Sequence, residues 1–143
     1  SSIFGIYVPP HCSAASIACA LNLVNLSRLS AHAIEAAEQC GGTYIPKIEE
    51  LQKINEVLEN FPLDRRLLFC DEKLQASEVN LENLKKGKWA ILVGPEGGFS
   101  EIERNYLKGL KFTFSISLGP RILRADTAAV TAISLWQNYL GDW

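Results

Sequence analysis

Residues 90–103, AILVGPEGGFSEIE, contain the transition that decides the fold. The apolar run at residues 90–93 predicts a buried β-strand, and it leads directly into a glycine-rich turn. Ser100 and Glu103 then form an S-x-x-E capping box, which predicts that a helix begins immediately after the turn. Because ligands bind in open α/β sheets where a strand ends and a helix begins, this turn is a candidate binding loop.

Strands and helices alternate along the rest of the chain. Apolar, β-rich runs predict strands at residues 4–8, 67–70, 90–93 and 112–118. The spacing of apolar residues predicts helices at residues 27–40, 48–58, 102–108 and 127–140, with a short helix at most at 81–86. This alternation indicates an α/β fold with a mostly parallel sheet.

Length and composition indicate one globular domain, which we expect to span residues 1–143. Of the 143 residues, 48% are hydrophobic and 21% are charged, which excludes disorder along the whole chain. Lys and Arg number 14 against 16 Asp and Glu, so the net charge is −2. This balance neither supports nor excludes a nucleic-acid partner.

The cysteines, the histidines and the apolar segments bear on compartment and on metal binding. The cysteines form no C-x-x-C pair, and the histidines do not complete a zinc spacing with them, so we expect ordinary thiols, a reducing compartment and no metal. These residues are Cys12, Cys19, Cys40, Cys70, His11 and His32. We see no secretory signal, and residues 127–141 are too short and too polar to span a bilayer. The expectation is a cytoplasmic protein with no membrane partner.

The glycine-rich loop at residues 93–100 matches neither familiar nucleotide motif. Its glycines would let backbone N–H groups approach a ligand closely. Gly98 is followed by Phe99 instead of the Lys of a P-loop, and the G-x-x-G-G spacing is not that of a dinucleotide-binding loop. Triphosphate hydrolysis and nicotinamide chemistry are therefore disfavoured. A tight turn with a helix cap and no ligand remains the alternative.

A second loop, LGPRILRADT at residues 118–127, also follows a predicted strand and precedes a predicted helix. Arg121 and Arg124 flank an apolar pair, which suits a flat, partly charged ligand that offers a ring and an anionic or enolate-like oxygen. Asp126 or Thr127 can cap the following helix through a side-chain oxygen. The alternative is that both arginines lie on the surface and pair with nearby acidic residues.

The two loops together resemble a known family. GPEGGFSEIE at residues 94–103 followed by LGPRILRADTA at residues 118–128 is similar to the C-terminal half of the RsmE family of ribosomal RNA methyltransferases. That family belongs to the SPOUT superfamily of trefoil-knotted S-adenosylmethionine enzymes. AIEAAEQCG at residues 33–41 resembles the family's A-x-E-A-x-E-Q-[SC]-G helix end. Gly42 stands where the family usually has Arg, and Asp126 where it usually has Glu.

This resemblance implies an α/β fold with a C-terminal trefoil knot. The implied activity is methylation of N3 of a uridine in 16S (small-subunit) ribosomal RNA, with S-adenosylmethionine as cofactor and no metal. It also implies a homodimer, since SPOUT active sites form between two subunits. The family's N-terminal PUA-like RNA-binding domain has no counterpart in these residues. A SPOUT methyltransferase acting on transfer RNA and a non-catalytic cofactor- or RNA-binding fragment remain alternatives.

The same resemblance implies roles for residues of the two loops. The candidate cofactor-binding residues are Val93, Gly94, Pro95, Glu96, Gly97, Gly98, Leu118, Gly119, Ile122, Leu123 and Arg124. The candidate catalytic residues are Arg124, Asp126 and Glu96. Arg124, or alternatively Arg121, would stabilise the negative charge left when uridine N3 loses its proton. Asp126 or Glu96 would accept that proton or orient the arginine.

The last predicted helix is uncharged from residue 127 to residue 141 and apolar on more than one face. Its apolar side chains include Val130, Ile133, Leu135, Trp136 and Leu140. A helix that is apolar on several sides needs burial on several sides. The burial can come from the monomer or from a second copy of the chain.

Overall fold

The computed structural model describes residues 5–7, 16–17, 26–42, 44–50, 52–95 and 97–141. The elements in chain order are β1 (Gly5–Tyr7), β2 (Ser16–Ile17), α1 (Leu26–Gln39), β3 (Lys47–Ile48), α2 (Ile54–Glu59), β4 (Arg65–Cys70), a 3₁₀ turn (Leu81–Asn83), β5 (Lys88–Val93), α3 (Glu101–Gly109), β6 (Thr113–Ile116) and α4 (Ala125–Leu140). The predicted alternation of strands and helices is therefore confirmed.

The main sheet has four strands in the order β1-β5-β4-β6. β4 pairs in parallel with both β5 and β6, whereas β1 pairs antiparallel with β5. The predicted mostly parallel sheet is confirmed. The register aligns Cys70 of β4 with Val93 of β5 and with Ile116 of β6, so the three parallel strands end at the same edge. The loops that follow them therefore leave the sheet side by side.

Both faces of the central strands are buried, which explains their nearly continuous apolar sequences. One face packs against α2 and α3, in a cluster of Ile54, Leu58, Leu67, Phe69, Ala90, Leu92, Phe99 and Leu107. The other face packs against α4, in a cluster of Leu68, Cys70, Trp89, Ile91, Ile116, Ala132, Trp136 and Leu140. Alternate residues of each strand supply the two clusters, as the period of a β-strand requires.

The helix after the glycine-rich loop begins as its sequence predicts. Ser100 is the N-cap of α3, and its hydroxyl accepts the N–H of Glu103 at 3.3 Å. The Glu103 carboxylate accepts the N–H of Ser100 at 2.8 Å, which completes the capping box. Two of the N–H groups that a helix start leaves without partners are satisfied in this way.

The start of α4 differs from the prediction. Arg124 is the N-cap residue, and its side chain makes no capping hydrogen bond. Asp126 lies inside the first turn, where its carboxylate accepts the N–H of Thr127 at 2.7 Å. A negative charge in the first turn is favourable because the N-terminal end of a helix is electropositive.

The predicted helix at residues 48–58 is wrong in its first half. Ile48 belongs to β3 and pairs with Ile17 of β2, and the helix occupies only Ile54–Glu59. Pairing with a strand distant in sequence provides backbone partners that the local apolar spacing cannot reveal. The short helix expected at residues 81–86 is reduced to a 3₁₀ turn at Leu81–Asn83. Residues 4 and 8 of the first predicted strand lie outside the described residues.

Helix α4 is buried on one face only. Ala128, Ala132, Trp136 and Leu140 lie at four-residue spacing against the sheet and are buried. Val130, however, is 66% exposed. The monomer therefore covers one side of this helix and leaves the apolar side chain of Val130 exposed on another.

Two cysteines fall within the described ranges, Cys40 on the surface and Cys70 in the interior, and neither is in a disulfide. Burial raises the pKa of the Cys70 thiol to about 12, so this group stays protonated at neutral pH. No group of three His, Cys, Asp or Glu side chains in the described part of the chain could hold a metal ion. Among the helices of these ranges, none has both the length and the apolar character that a membrane span requires.

Candidate functional site

A cavity of about 220 Å³ lies at the edge of the sheet where β4, β5 and β6 end. The loops after these three strands line it together. The predicted cofactor-binding residues found in the lining are Val93, Gly94, Pro95, Gly97, Gly98, Leu118, Gly119, Ile122 and Leu123. Arg124 is not in the lining, and Glu96 lies outside the described residues. The sheet topology thus brings the two predicted loops to one cavity.

A different feature of the structure explains each glycine of the first loop. Gly98 has a φ of +67°, a conformation that L residues rarely adopt, and its N–H donates to the Pro95 carbonyl at 2.8 Å to close the turn. A Cβ on Gly94 would lie 2.6 Å from the ring of Phe99, so packing requires a glycine there. A Cβ on Gly97 would meet no atom within 4 Å in the part of the chain that the structure describes. Gly97 therefore borders open space beside the cavity.

The second loop is held to the loop that follows β4. The hydroxyl of Ser117 donates to the Leu74 carbonyl at 2.8 Å and accepts the N–H of Gly119 at 3.2 Å. Gly119 has a φ of +119°, which again favours glycine. Beyond this turn, Ile122 lines the cavity and is 75% exposed. An apolar side chain is thus available to a flat ligand.

The predicted catalytic pair lies outside the cavity. Arg124 Nε is 3.8 Å from Asp126 Oδ1, and the two side chains are 82% and 72% exposed. The hydrogen bond from the Thr127 N–H, together with the charge of Arg124, lowers the pKa of Asp126. A general base works best with a pKa near the working pH, so a lowered pKa makes Asp126 a weaker proton acceptor. Arg121 does line the cavity.

Sequence reasoning missed the third loop of the cavity. Asp71, Glu72 and Lys73 directly follow β4 and line the cavity with Cys70; Ala128 of α4 contributes as well. The signal was present, since a charged triplet follows the buried strand predicted at residues 67–70. The rule that ligands bind at the carboxyl ends of parallel strands applies to this strand as much as to the other two.

Two charged side chains are buried beneath this third loop. Asp71 is 1% exposed and Arg104 of α3 is 5% exposed, and the two form an ion pair. Arg104 also pairs with Glu72 at 2.9 Å. Burial opposes the charged guanidinium, but the hydrogen bond to Glu72 and the charges of Asp71 and Glu72 outweigh it and raise the pKa of Arg104. Lys108 Nζ lies 3.3 Å from the second oxygen of Asp71.

Comparison with known proteins agrees with this site. The model of a family described as the RNA methyltransferase domain matches residues 9–137. The ribosomal RNA small subunit methyltransferase E of Rickettsia conorii is 40% identical over 119 residues, which cover 81% of this chain and 48% of that protein. The protein of the same name from Helicobacter pylori is 32% identical over 117 residues, or 82% of this chain and 48% of that protein. The chain thus spans about half the length of these relatives.

Solved structures give the same result. A methyltransferase structure from Legionella pneumophila, in complex with the bound cofactor SAM, has a TM-score of 0.72 at 27% identity and covers 91% of this chain and 56% of its own. The ribosomal RNA small subunit methyltransferase E of Neisseria gonorrhoeae, bound to S-adenosyl methionine, has a TM-score of 0.64 at 26% identity and covers 87% and 53%. The resemblance to the RsmE family predicted from the two loops is confirmed.

Proposed function

This chain belongs to the RNA methyltransferase domain family, and we propose on that premise that it methylates N3 of a uridine in small-subunit ribosomal RNA, with S-adenosylmethionine as the methyl donor. The observation that carries the proposal is the cavity at the strand ends, which both predicted loops line. Relatives named as small-subunit methyltransferases and similar structures with bound SAM support the same function.

The residues of the cavity fit this cofactor. Val93, Leu118, Ile122 and Leu123 offer apolar contact to a purine ring. The open space beside Gly97 lets the backbone approach the ligand without a side chain between them. When bound, the cofactor supplies a methyl group activated by a sulfonium.

The proposed catalytic role of Arg124 concerns the charge on the substrate base. Uridine N3 carries a proton at neutral pH, and its loss leaves negative charge on the ring oxygens. We assign Arg124 to that charge, with Asp126 orienting the guanidinium at 3.8 Å. Arg121, which lines the cavity, is the alternative. Glu96 stays a candidate for accepting the proton or orienting the arginine.

We also propose the finer features implied by the family: a trefoil knot formed by the two loops, a homodimer and ribosomal RNA as the partner. The homodimer comes from the family resemblance, and Val130 of α4, an apolar side chain that is 66% exposed, is our candidate for its interface. The likeness in overall fold to SAM-bound structures supports the shared α/β architecture, and the knot itself is what the family resemblance implies.

The test combines binding and turnover. Calorimetry is expected to detect S-adenosylmethionine binding, and labelled methyl transfer to small-subunit RNA, followed by mass spectrometry of nucleosides, is expected to yield N3-methyluridine. Methylation of transfer RNA but not of small-subunit RNA would replace the proposed substrate. Cofactor binding with no transfer to either RNA would indicate a non-catalytic binding domain, and absence of cofactor binding would overturn the proposal.

A further inference from the structure

Phe99, the residue that ends the glycine-rich loop, is anchored through both of its main-chain groups. Its N–H donates to Glu72 Oε1 at 3.2 Å, and its carbonyl accepts from Arg104 Nη2 at 2.8 Å. Phe99 is 4% exposed, and its ring packs edge-on against Phe69, with 4.8 Å between the ring centroids. The end of the loop is therefore fixed from outside the loop.

Arg104 connects this anchor to the end of β4. Its Nη2 also donates to Glu72 Oε1 at 2.9 Å, and its Nη1 donates to Asp71, the first residue after the strand. A guanidinium presents its donors in a rigid plane, so these bonds set the distance between β4 and Phe99. One side chain thus ties together the loops that follow β4 and β5.

Stability alone is a weak explanation for this arrangement. Burying an ion pair costs desolvation, and well-packed apolar side chains of similar volume often stabilise a protein as well or better. The loop that Arg104 anchors, by contrast, has a left-handed glycine at Gly98 and open space beside Gly97, so its backbone would otherwise be free to vary. Fixing such a loop before the ligand arrives lowers the ordering cost of binding.

We propose that Arg104 is a positioning residue for the cofactor site. It holds the glycine-rich loop in its binding conformation through Phe99 and Glu72, and it lies outside the cavity lining itself. This inference rests on the proposed function, because it assumes that the cavity takes S-adenosylmethionine. Glu72, which does line the cavity, serves as the hydrogen-bond acceptor that joins Arg104 to the Phe99 N–H.

The test uses conservative pairs. Arg104→Lys keeps the positive charge beside Asp71 but loses the planar fork, so we expect S-adenosylmethionine to bind about five- to tenfold more weakly. Glu72→Ala removes the acceptor of the Phe99 N–H and is expected to match Arg104→Lys in affinity, whereas Glu72→Gln keeps an oxygen acceptor and is expected to keep parent-like hydrogen–deuterium exchange at residues 94–99. Glu78→Gln is the control. It removes the carboxylate charge 2.8 Å from Lys108, which lies on α3 with Arg104, and it leaves the hydrogen bonds of Phe99 in place.

Hydrogen–deuterium exchange without ligand separates local loosening of the loop from general destabilisation, which would speed exchange in the core strands and helices as well. We expect faster exchange at residues 94–99 in Arg104→Lys and Glu72→Ala, with β4 and α4 unchanged. Parent-like exchange and affinity in Arg104→Lys would overturn the proposal. If residues 94–99 exchanged as fast in Glu72→Gln as in Glu72→Ala, the hydrogen bond to Phe99 would not be what holds the loop, and the positioning role would be wrong. If the parent did not bind the cofactor, the proposed function would fail, while exchange at residues 94–99 would still decide whether Arg104 fixes the loop.

Discussion

Replacing Gly97 by valine should weaken cofactor binding without changing the stability of the fold. Gly97 lines the cavity, a Cβ there meets no atom of the described residues within 4 Å, and its φ is outside the left-handed region. The substitution therefore adds side-chain atoms without an internal clash. We expect the free energy of unfolding to change by no more than about 0.5 kcal/mol, as for ordinary surface substitutions.

The expected loss lies in binding. A branched side chain at the loop prevents the backbone from approaching the ligand, which removes one or two hydrogen bonds worth about 1–3 kcal/mol together. At 1.4 kcal/mol for each factor of ten, the dissociation constant should rise about 5- to 150-fold. Calorimetric titration with S-adenosylmethionine measures this change, and thermal unfolding measures stability.

Gly109→Val is the matched control. Gly109 also has open space around an added Cβ, but it ends α3 away from the cavity lining. The same chemical change there should leave the dissociation constant as it is. Parent-like affinity in Gly97→Val, or an equal loss in both variants, would refute the assignment of this loop to the cofactor.

Three further predictions concern the proposed dimer, catalysis and alkaline stability. Val130→Glu lies on exposed surface, so it should dissociate the homodimer in sedimentation without unfolding the protein. Ile133→Glu should instead lower the melting temperature, because Ile133 packs against the core. A monomeric parent would contradict the proposed homodimer. Arg124→Ala should reduce the rate of methyl transfer about 100-fold with cofactor affinity unchanged, and near-normal turnover would exclude its catalytic role. Burial raises the pKa of Cys70 from 9.0 to about 12 on folding. Its contribution to stability is therefore present below pH 9.0 and should be lost above that pH at about 1.4 kcal/mol per pH unit. The free energy of unfolding of Cys70→Ala should fall less steeply with alkaline pH than that of the parent, and identical slopes would count against the buried thiol.

The parts of the fold that the sequence predicts are those with local causes. The strand, turn and capped helix of residues 90–103 follow from an apolar run, glycines and a Ser-x-x-Glu pair, all within one short segment. The helix predicted over Ile48 is wrong there because the strand partner of Ile48, Ile17, lies in a distant part of the chain. Its apolar spacing fits a helix as well as a strand, and only the pairing decides between them.

The candidate site also has parts that the sequence predicts and a part that it does not. The two loops are visible in the sequence because each carries its own glycines next to a strand. Arg104 is not visible, because it has the sequence pattern of an outward-facing polar residue in an amphipathic helix, and its burial depends on Asp71, which is 33 residues away. A charged residue is buried only where partners satisfy it, and those partners belong to the tertiary structure.

The fold places the two arginines of the second loop in different surroundings, although only three positions separate them in the sequence. Arg121 follows the turn at Gly119 and lines the cavity, whereas Arg124 has already reached the N-cap of α4, outside the lining and 82% exposed on its side chain. If the cavity holds the methyl donor, the substrate base has to approach the donor from outside the cavity lining, and Arg124 and Asp126 both lie outside that lining. Under the proposed function, Arg121 then belongs to the cofactor and Arg124 to the charge on the base. The three-residue spacing of the arginines fits this division, because the second loop leaves the cavity lining after Leu123 and reaches the N-cap of α4 at Arg124.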